Sequence, residues 1–270
     1  MFRMTFVLLT LAVAAVGQTN SGKKPKAPPA KPAAQYTSIT EVQEAAGRGV
    51  PEAQLMLGLA YQAGKAGLTK DDVEAMSWFQ KAATQGNPTA MNELGHAYED
   101  GKGATQNLPE AIRWYQQAAE HGDEWAQVRV GRAYTKGEGV RLDKGEAVKW
   151  YRKAAAQGSL SAQFYLGHAL QQGEGVPQNF VEAAKWFRKA AERGQGDAQF
   201  RLGMAYLEGK GVTKSVPESY IWFSLAAAKD HPGGAKGMDL ASGMMSAQAL
   251  QQAQARTLKI AEEIQKRKKG

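Results

Sequence analysis

The sequence has 270 residues, of which 43% are hydrophobic and 22% are charged, and it contains no cysteine. This composition supplies enough apolar side chains for a sizeable core, which excludes a wholly disordered chain. The absence of cysteine excludes disulfides, thiolate metal sites, a cysteine nucleophile and a lipid-modified N-terminal cysteine.

The first 38 residues predict an export signal followed by a linker. Arg3 precedes an apolar run from Met4 to Val16, and Gly17 completes a group of small residues suited to a signal peptidase. The run is shorter than the ~20 residues that a membrane span needs. We therefore predict a signal peptide at residues 1–17 and a periplasmic or secreted bacterial protein, with a retained N-terminal anchor as the alternative. Residues 18–38 are rich in Lys, Pro and Ala and predict a flexible or polyproline-like linker.

The formal net charge of +8 comes from the ends of the sequence. Nine of the 34 basic residues lie in residues 1–38 and 266–270, where there is no acid, which leaves 25 basic residues against 26 acidic ones. A nearly neutral central region gives no support for nucleic-acid binding, which needs a basic face on the folded part. The basic tails remain suited to loose contact with anionic envelope surfaces.

Five of the six tryptophans recur at an interval of 36 residues. They are Trp78, Trp114, Trp150, Trp186 and Trp222. A parallel glycine series has a first interval of 37 and then intervals of 36: Gly58, Gly95, Gly131, Gly167 and Gly203. Each unit reads Ala-x-x-x-Leu-Gly-x-Ala-Tyr, a Gly-x-Gly loop, Glu-Ala-x-x-Trp-Tyr/Phe-x-x-Ala-Ala and a short glycine turn. Self-similarity at such a period indicates a repeat architecture.

Both halves of a unit have the apolar spacing of a helix. In the third unit Ala126, Val130, Ala133 and Tyr134 stand at i, i+4, i+7 and i+8, which makes one apolar stripe. A capping-box pattern precedes every second helix, in which the first side chain accepts from the helix start and the glutamate reaches back. The five pairs are Asp71/Glu74, Asn107/Glu110, Asp143/Glu146, Asn179/Glu182 and Ser215/Glu218. The glycines of each Gly-x-Gly loop predict a left-handed helix end and a tight turn.

These patterns predict an all-α solenoid at residues 39–236. Its units are a partial one at 39–50 and five full ones at 51–87, 88–123, 124–159, 160–195 and 196–235. Residues 237–270 predict a capping helix, near Ser246 to Lys266 with Leu250, Leu258 and Ile264 on its apolar side, and a basic tail. Stacked helix pairs bury a continuous core that a single pair cannot bury.

Taken together, these motifs resemble the Sel-one-like repeat (SLR) family, a relative of the tetratricopeptide repeat. The match covers roughly Ile39 to Ala235. The resemblance implies a right-handed α/α superhelix and a role as an adaptor or scaffold. The family has no shared catalytic residues, so none is carried over, and the disulfides of some exported relatives have no counterpart here.

No residue pattern predicts catalysis, a cofactor or a metal site. The recurring glutamates have a capping position, and the Gly-x-Gly loops lack the Lys-Ser/Thr and the preceding strand of a phosphate loop. The repeated tryptophans lie on the apolar stripes and are expected in the core. His96 and His168 share a register two repeats apart, about 20 Å at ordinary helix spacings, which is too far for a common metal.

Two features point to binding. The first is the position after the repeat glycine, which varies: Leu59, His96, Arg132, His168 and Met204. In tetratricopeptide-like folds this face lines the concave groove. The second is Trp125, which stands where other units have Glu52, Thr89, Ser161 and Asp197. Trp125 shares a helical face with Val128 and Arg132 and has the character of an interface anchor; packing on a neighbouring repeat or loop is the alternative.

The sequence therefore predicts a non-enzymatic scaffold that binds a peptide or protein segment on the concave surface. The predicted contacts are Trp125 and Arg132, flanked by His96, Asn92 and His168. A cell-wall binder that recognises peptidoglycan fragments is the alternative, and an envelope hydrolase is less favoured. No nucleic acid partner, cofactor or membrane span in the mature chain is expected.

Overall fold

The structure, a computed structural model, describes residues 36–269. The predicted signal peptide at residues 1–17 and residues 18–35 of the predicted linker lie outside the described residues. Within residues 36–269 every regular element is an α-helix, and there are 13 of them. In chain order they are α1 (Ile39–Gly47), α2 (Pro51–Ala63), α3 (Asp72–Ala83), α4 (Pro88–Asp100), α5 (Leu108–Glu120), α6 (Glu124–Lys136), α7 (Lys144–Ala156), α8 (Leu160–Gln172), α9 (Phe180–Ala191), α10 (Gly196–Glu208), α11 (Val216–Ala227), α12 (Gly234–Ser242) and α13 (Ala247–Lys269).

The helices form an α solenoid, as the repeat pattern predicts. The chain divides into two compact units, one ending at His121 and the other beginning at Gly122. In the first unit each of α1 to α5 packs against the next helix in the chain. In the second unit α6 to α12 do the same, and α13 returns to pack on α11. None of the helices within residues 36–269 is both long and apolar enough to cross a membrane.

The N-cap side chains of the second helices act as the capping pattern predicts. Asp71, Asn107, Asp143, Asn179 and Ser215 each accept a hydrogen bond from the amide three residues later. These bonds satisfy amides that have no partner within the helix.

The second half of the predicted capping box is wrong. The amide of each N-cap residue donates to a carbonyl of the first helix in the same repeat. This amide is therefore not available as a donor to the glutamate side chain. The amide of Asn107, for example, donates to the carbonyl of Tyr98 at 2.8 Å. Four of the five glutamates form ion pairs instead: Glu110 with Arg113, Glu146 with Lys149, Glu182 with Arg152 and Glu218 with Arg256. The N-cap amide therefore joins the two helices of one repeat.

The recurring glycine of each first helix receives an aromatic ring from the second helix. A Cβ atom added to Gly95 would lie 2.2 Å from the ring of Tyr115, and one added to Gly131 would lie 2.5 Å from the ring of Tyr151. Both distances are far below van der Waals contact. Glycine is needed here because the ring lies directly on the backbone of the first helix. The rings of Phe79, Phe187 and Phe223 occupy the same place on Gly58, Gly167 and Gly203.

Helix termination explains only the first glycine of each Gly-x-Gly loop. Gly101 and Gly173 are left-handed C-caps of α4 and α8, as predicted. The second glycines have another reason. A Cβ atom at Gly103 would lie 2.2 Å from the carbonyl oxygen of Asp72, and one at Gly175 would lie 2.2 Å from that of Lys144. Gly103, Gly175 and Gly211 thus pack on the second helix of the preceding repeat, a contact that helix termination and a tight turn do not predict.

The repeated tryptophans belong mainly to the core. Trp114, Trp150 and Trp222 are buried, and Trp78 and Trp186 are half-buried. The ammonium group of Lys81 lies 3.5 Å from the ring centre of Trp78, and that of Lys189 lies 4.1 Å from the ring centre of Trp186. A lysine stem and its charge thus shield the two indoles that are partly open to solvent.

The C-terminal helix differs from its prediction in one detail. Ala253 and Ile264 of α13 are buried against the second unit, whereas Leu258, which was expected on the apolar side, is 68% exposed. The short helix α12 before it was not predicted. At the other end of the described chain Tyr36 is buried in a cluster with α1 and α2.

Candidate functional site

The predicted contact residues lie on the first helix of their repeats, and these repeats belong to both compact units. Asn92 and His96 are one turn apart on α4 in the first unit. Trp125 and Arg132 lie on α6 in the second unit, and His168 lies on α8.

In the first unit His96 belongs to a hydrogen-bonded cluster with Tyr115 and Glu99. The hydroxyl of Tyr115 donates to Oε2 of Glu99 at 2.7 Å and lies 3.0 Å from Nδ1 of His96. A phenol has one proton, so when it is given to Glu99 the phenol oxygen can only accept from His96. Nδ1 of His96 is then the donor in its pair with Tyr115.

In the second unit Trp125 and Arg132 are exposed on the same face of α6. Trp125 is 47% exposed, and Val128 between them is half-buried. Nearly half of the Trp125 residue is thus exposed. A large aromatic ring with this exposure, seven residues from an exposed guanidinium, is the geometry that the interface-anchor hypothesis requires.

A small cavity lies beside His168, between α6, α7, α8 and the loop that follows α8. Its volume is about 40 Å³. The hydroxyl of Tyr151 reaches it and lies 3.0 Å from the hydroxyl of Thr135, while the ring of Tyr165 stacks on that of Tyr151 with centroids 5.1 Å apart. The polar or aromatic lining residues are Thr135, Lys144, Tyr151, Tyr165, His168 and Glu174.

Burial and nearby cations set the charge state of this cavity. Burial lowers the pKa of His168, and the charges of Arg201 and Lys144 lower it further against the opposing effect of Glu174. His168 is therefore neutral at pH 7. Burial also raises the pKa of Tyr151 to about 12, although the hydrogen bond with Thr135 and the charge of Arg132 oppose the shift.

The three cations around the cavity differ in their partners. Lys144 forms an ion pair with Glu174, with Nζ and Oε1 2.9 Å apart. Arg132 and Arg201 form no ion pair with any carboxylate in the part of the chain that the structure describes. Lys144 lines the cavity, whereas Arg132 and Arg201 are not among its lining residues.

A family model confirms what the repeat geometry indicates. The model described as Sel1 repeat matches residues 51–87, 88–123, 126–159, 160–195 and 196–231. The chain belongs to the Sel1 repeat family. No curated protein sequence matches it.

Solved Sel1 repeat structures resemble the fold. A Sel1 repeat protein from Oxalobacter formigenes is 32% identical, with a TM-score of 0.67, over 70% of this chain and 78% of that chain. A protective antigen with an SLR fold from uropathogenic Escherichia coli is 26% identical, with a TM-score of 0.44, over 84% of this chain and 72% of that chain. Sel1 repeat proteins generally mediate protein–protein interactions.

The tyrosine hydroxyls set two Sel1 repeats apart from the others. At the buried position after the repeated tryptophan, the second and third repeats have Tyr115 and Tyr151, and the others have phenylalanine. Both hydroxyls meet polar side chains of the first helix in their repeat. The repeat pattern predicts Tyr and Phe as equivalents at this position, so these two hydroxyls were not predicted. The tyrosines themselves were a signal in the sequence, because a position with only apolar neighbours does not require the hydroxyl that distinguishes tyrosine from phenylalanine.

Proposed function

We propose that this protein is an exported scaffold that binds a peptide or protein segment on the face formed by α6, α8 and α10. The observation that supports it most is the exposure of Trp125 on the same helical face as Arg132. Large aromatic and arginine side chains dominate the binding energy of protein interfaces. His96 and Asn92, on α4 in the first unit, are proposed as contacts of the same kind.

The repeat packing supports a preformed binding face. Each ring on a repeat glycine and each N-cap bond fixes the two helices of a repeat before any partner arrives. A rigid surface loses little conformational entropy on binding, which favours affinity. The backbone of this face should therefore change little when it is occupied.

The test is affinity capture from a bacterial envelope extract with wild-type protein and a Trp125→Ala/Arg132→Ala variant. The matched control is Leu258→Ala/Lys259→Ala, which removes an exposed apolar residue and a cation from α13. We expect to find partners that bind to the wild-type protein and to the control variant but not to the Trp125/Arg132 variant. An unchanged set of partners with both variants would overturn the assignment of the face.

A cell-wall ligand is the second candidate. An exposed indole beside a guanidinium can also contact a sugar ring and a carboxylate of a peptidoglycan fragment. Sedimentation with purified sacculi tests it, because a cell-wall binder moves to the pellet and a protein scaffold stays in the supernatant. We also propose that the protein has no enzymatic activity. Release of soluble fragments from the sacculi would contradict this.

Export is tested separately by the mass of the mature protein. We expect protein recovered from the periplasm or medium to begin at Gln18, which corresponds to removal of residues 1–17. Protein that keeps Met1 and stays in the membrane fraction would indicate an uncleaved anchor.

A further inference from the structure

His168 lacks the hydrogen-bond partner that His96 has at the same position of its repeat. The hydroxyl of Tyr115 lies 3.0 Å from Nδ1 of His96. In the repeat of His168 the corresponding ring is Phe187, which packs in the same way on its repeat glycine but carries no hydroxyl. Within the part of the chain that the structure describes, His168 makes no hydrogen bond or ion pair. A neutral imidazole has one donor and one acceptor, so both remain available to a ligand.

The hydroxyl of Tyr151 adds a second group with unused hydrogen-bonding capacity to the same cavity. The tyrosine is 4% exposed, and its oxygen lies 3.0 Å from that of Thr135. Each hydroxyl has one proton. If Thr135 donates, the proton of Tyr151 is free, and if Tyr151 donates, its oxygen can still accept. A ligand group that both donates and accepts fits either arrangement, and it also fits either tautomer of His168.

The lining of the cavity carries no net charge that an ionic ligand could neutralise. Lys144 and Glu174, its two ionised residues, pair with each other, with Nζ and Oε1 2.9 Å apart. His168 is neutral at pH 7, because burial lowers its pKa. A carboxylate or an ammonium group would lose its hydration there without meeting an unpaired opposite charge in the lining, which makes its burial unfavourable. The electrostatics therefore favour an uncharged group.

The volume of the cavity limits this group to a few atoms. The cavity measures about 40 Å³, little more than the ~30 Å³ that one water occupies in the liquid. A carboxamide or a hydroxyl at the end of a short side chain has this size. A sugar ring or an aromatic ring exceeds it.

The cavity continues the face that carries Trp125 and Arg132. Thr135 stands three residues after Arg132 and ten after Trp125, so the three side chains share one side of α6. Ten residues of helix span about 15 Å, which an extended segment covers in four or five residues. A segment on this face can therefore contact Trp125 and reach into the cavity at the same time.

We propose that the cavity beside His168 receives one uncharged side chain of the bound segment, an Asn or Gln carboxamide or a Ser or Thr hydroxyl, which forms hydrogen bonds with His168 and Tyr151. The inference rests on the proposed function and adds the chemistry of one partner residue to it. A site of this kind discriminates against a segment without that residue, because the buried polar groups then stay unsatisfied.

The experiment selects ligands without assuming a natural partner. The full mature chain is immobilised, and a displayed library of random dodecapeptides is enriched on it. Enriched peptides are synthesised with a fluorescent label, and their Kd is measured by anisotropy. An alanine scan locates the peptide residues on which binding depends. Any Asn, Gln, Ser or Thr among them is then replaced in turn by Leu and by Asp.

Three variants of the protein test the cavity itself. His168→Leu and Tyr151→Phe each remove a hydrogen-bonding group, and other repeats already have leucine or phenylalanine at these positions. Phe187→Tyr removes nothing and instead offers His168 the hydroxyl that the second repeat has. The matched control is His121→Leu, at an exposed histidine outside the cavity. Circular dichroism checks that each variant is folded.

We expect enriched peptides that share an Asn, Gln, Ser or Thr four or five residues from an apolar side chain, and that bind less well to Trp125→Ala. Their Kd should rise about fivefold or more with His168→Leu, with Tyr151→Phe, or when the polar peptide residue becomes Leu or Asp. Phe187→Tyr should raise the Kd in the same direction, because its hydroxyl competes for His168. The control should change the Kd less than about twofold.

Three outcomes would contradict the inference. Peptides that depend on Trp125 but have no such polar residue, or that keep their Kd with His168→Leu and Tyr151→Phe, would overturn it and leave the proposed function standing. Tighter binding of the Asp peptides would overturn it as well, because the cavity would then favour an anion. Failure to enrich any peptide would overturn both the inference and the proposed function.

Discussion

The hydroxyl of Tyr151 lies 3.0 Å from the hydroxyl of Thr135, and the tyrosine is only 4% exposed. Burial raises the pKa of Tyr151 to about 12, whereas an unfolded chain releases this proton near pH 10. The folded protein therefore binds more protons between these two values, and its stability falls as the pH rises through them. We expect about 1 kcal/mol of this loss at pH 11 to come from Tyr151.

The measurement is urea unfolding at pH 8 and pH 11 for wild type and Tyr151→Phe. The phenylalanine variant should lose less stability on alkalinisation, because it has no phenol to titrate. Thr135→Val is the matched control, since it removes the hydroxyl partner and keeps the phenol. An alkaline loss in Tyr151→Phe as large as in wild type would contradict the assignment.

His168 predicts the opposite dependence at acid pH. Burial, followed by the charges of Arg201 and Lys144, lowers its pKa in the folded state. Below about pH 6.5 the unfolded chain binds a proton that the folded protein excludes. Stability should therefore fall on acidification from pH 7, and His168→Gln should show a smaller fall. His121→Gln, a change at an exposed histidine outside the cavity, is the control in thermal unfolding at pH 5 and pH 7.5.

Much of the fold could be predicted because its determinants are local in sequence. The N-cap bonds, the left-handed helix ends at Gly101 and Gly173, and the pairing of helices all depend on residues within one 36-residue unit. Their spacing is visible in the sequence alone.

The features that could not be predicted depend on how one repeat packs on the next. Gly175 looks like a loop glycine until its contact with Lys144 of the preceding repeat is known. Gln199 looks like a surface residue beside Ala198, yet it is 1% exposed because α9 covers it. For the candidate site, the sequence suggested Arg132 and His168 but could not show that Arg201 and Tyr151 share their surroundings. Those relationships arise only when α6, α7, α8 and α10 are placed together.

The buried glutamine series gives a third prediction. Nε2 of Gln199 donates to the carbonyl of Ala191 at 3.1 Å, and Gln54 and Gln163 make the same bond to the last helix of the repeat before their own. Met91 occupies this position in the second repeat. Gln199→Met should cost about 1 kcal/mol, because it keeps the side-chain volume and the carbonyl keeps its bond from the amide of Gly194.

Gln199→Ala should cost more, about 2 kcal/mol or above, because it also leaves a cavity between α9 and α10. Chemical denaturation at neutral pH ranks the two variants. Equal costs would show that the hydrogen bond, and not the packing, dominates at this position.

The two glycines of one loop provide the sharpest comparison. Gly173 and Gly175 both have positive φ, 72° and 70°, so replacing either by alanine carries the same backbone cost of about 1–2 kcal/mol. They differ in their surroundings. A Cβ atom at Gly173 would be 3.4 Å from its nearest neighbour, the Cβ of Gln178, whereas one at Gly175 would be 2.2 Å from the backbone of Lys144. The backbone at the start of α7 cannot move aside without breaking the contact between the repeats.

Gly175→Ala should therefore cost at least about 2 kcal/mol more than Gly173→Ala in equilibrium unfolding. Because repeats in a solenoid are stabilised mainly by their neighbours, the variant should also raise amide hydrogen exchange at the junction of α7 and α8. Equal stability of the two variants would mean that the second glycine is needed only for its backbone conformation.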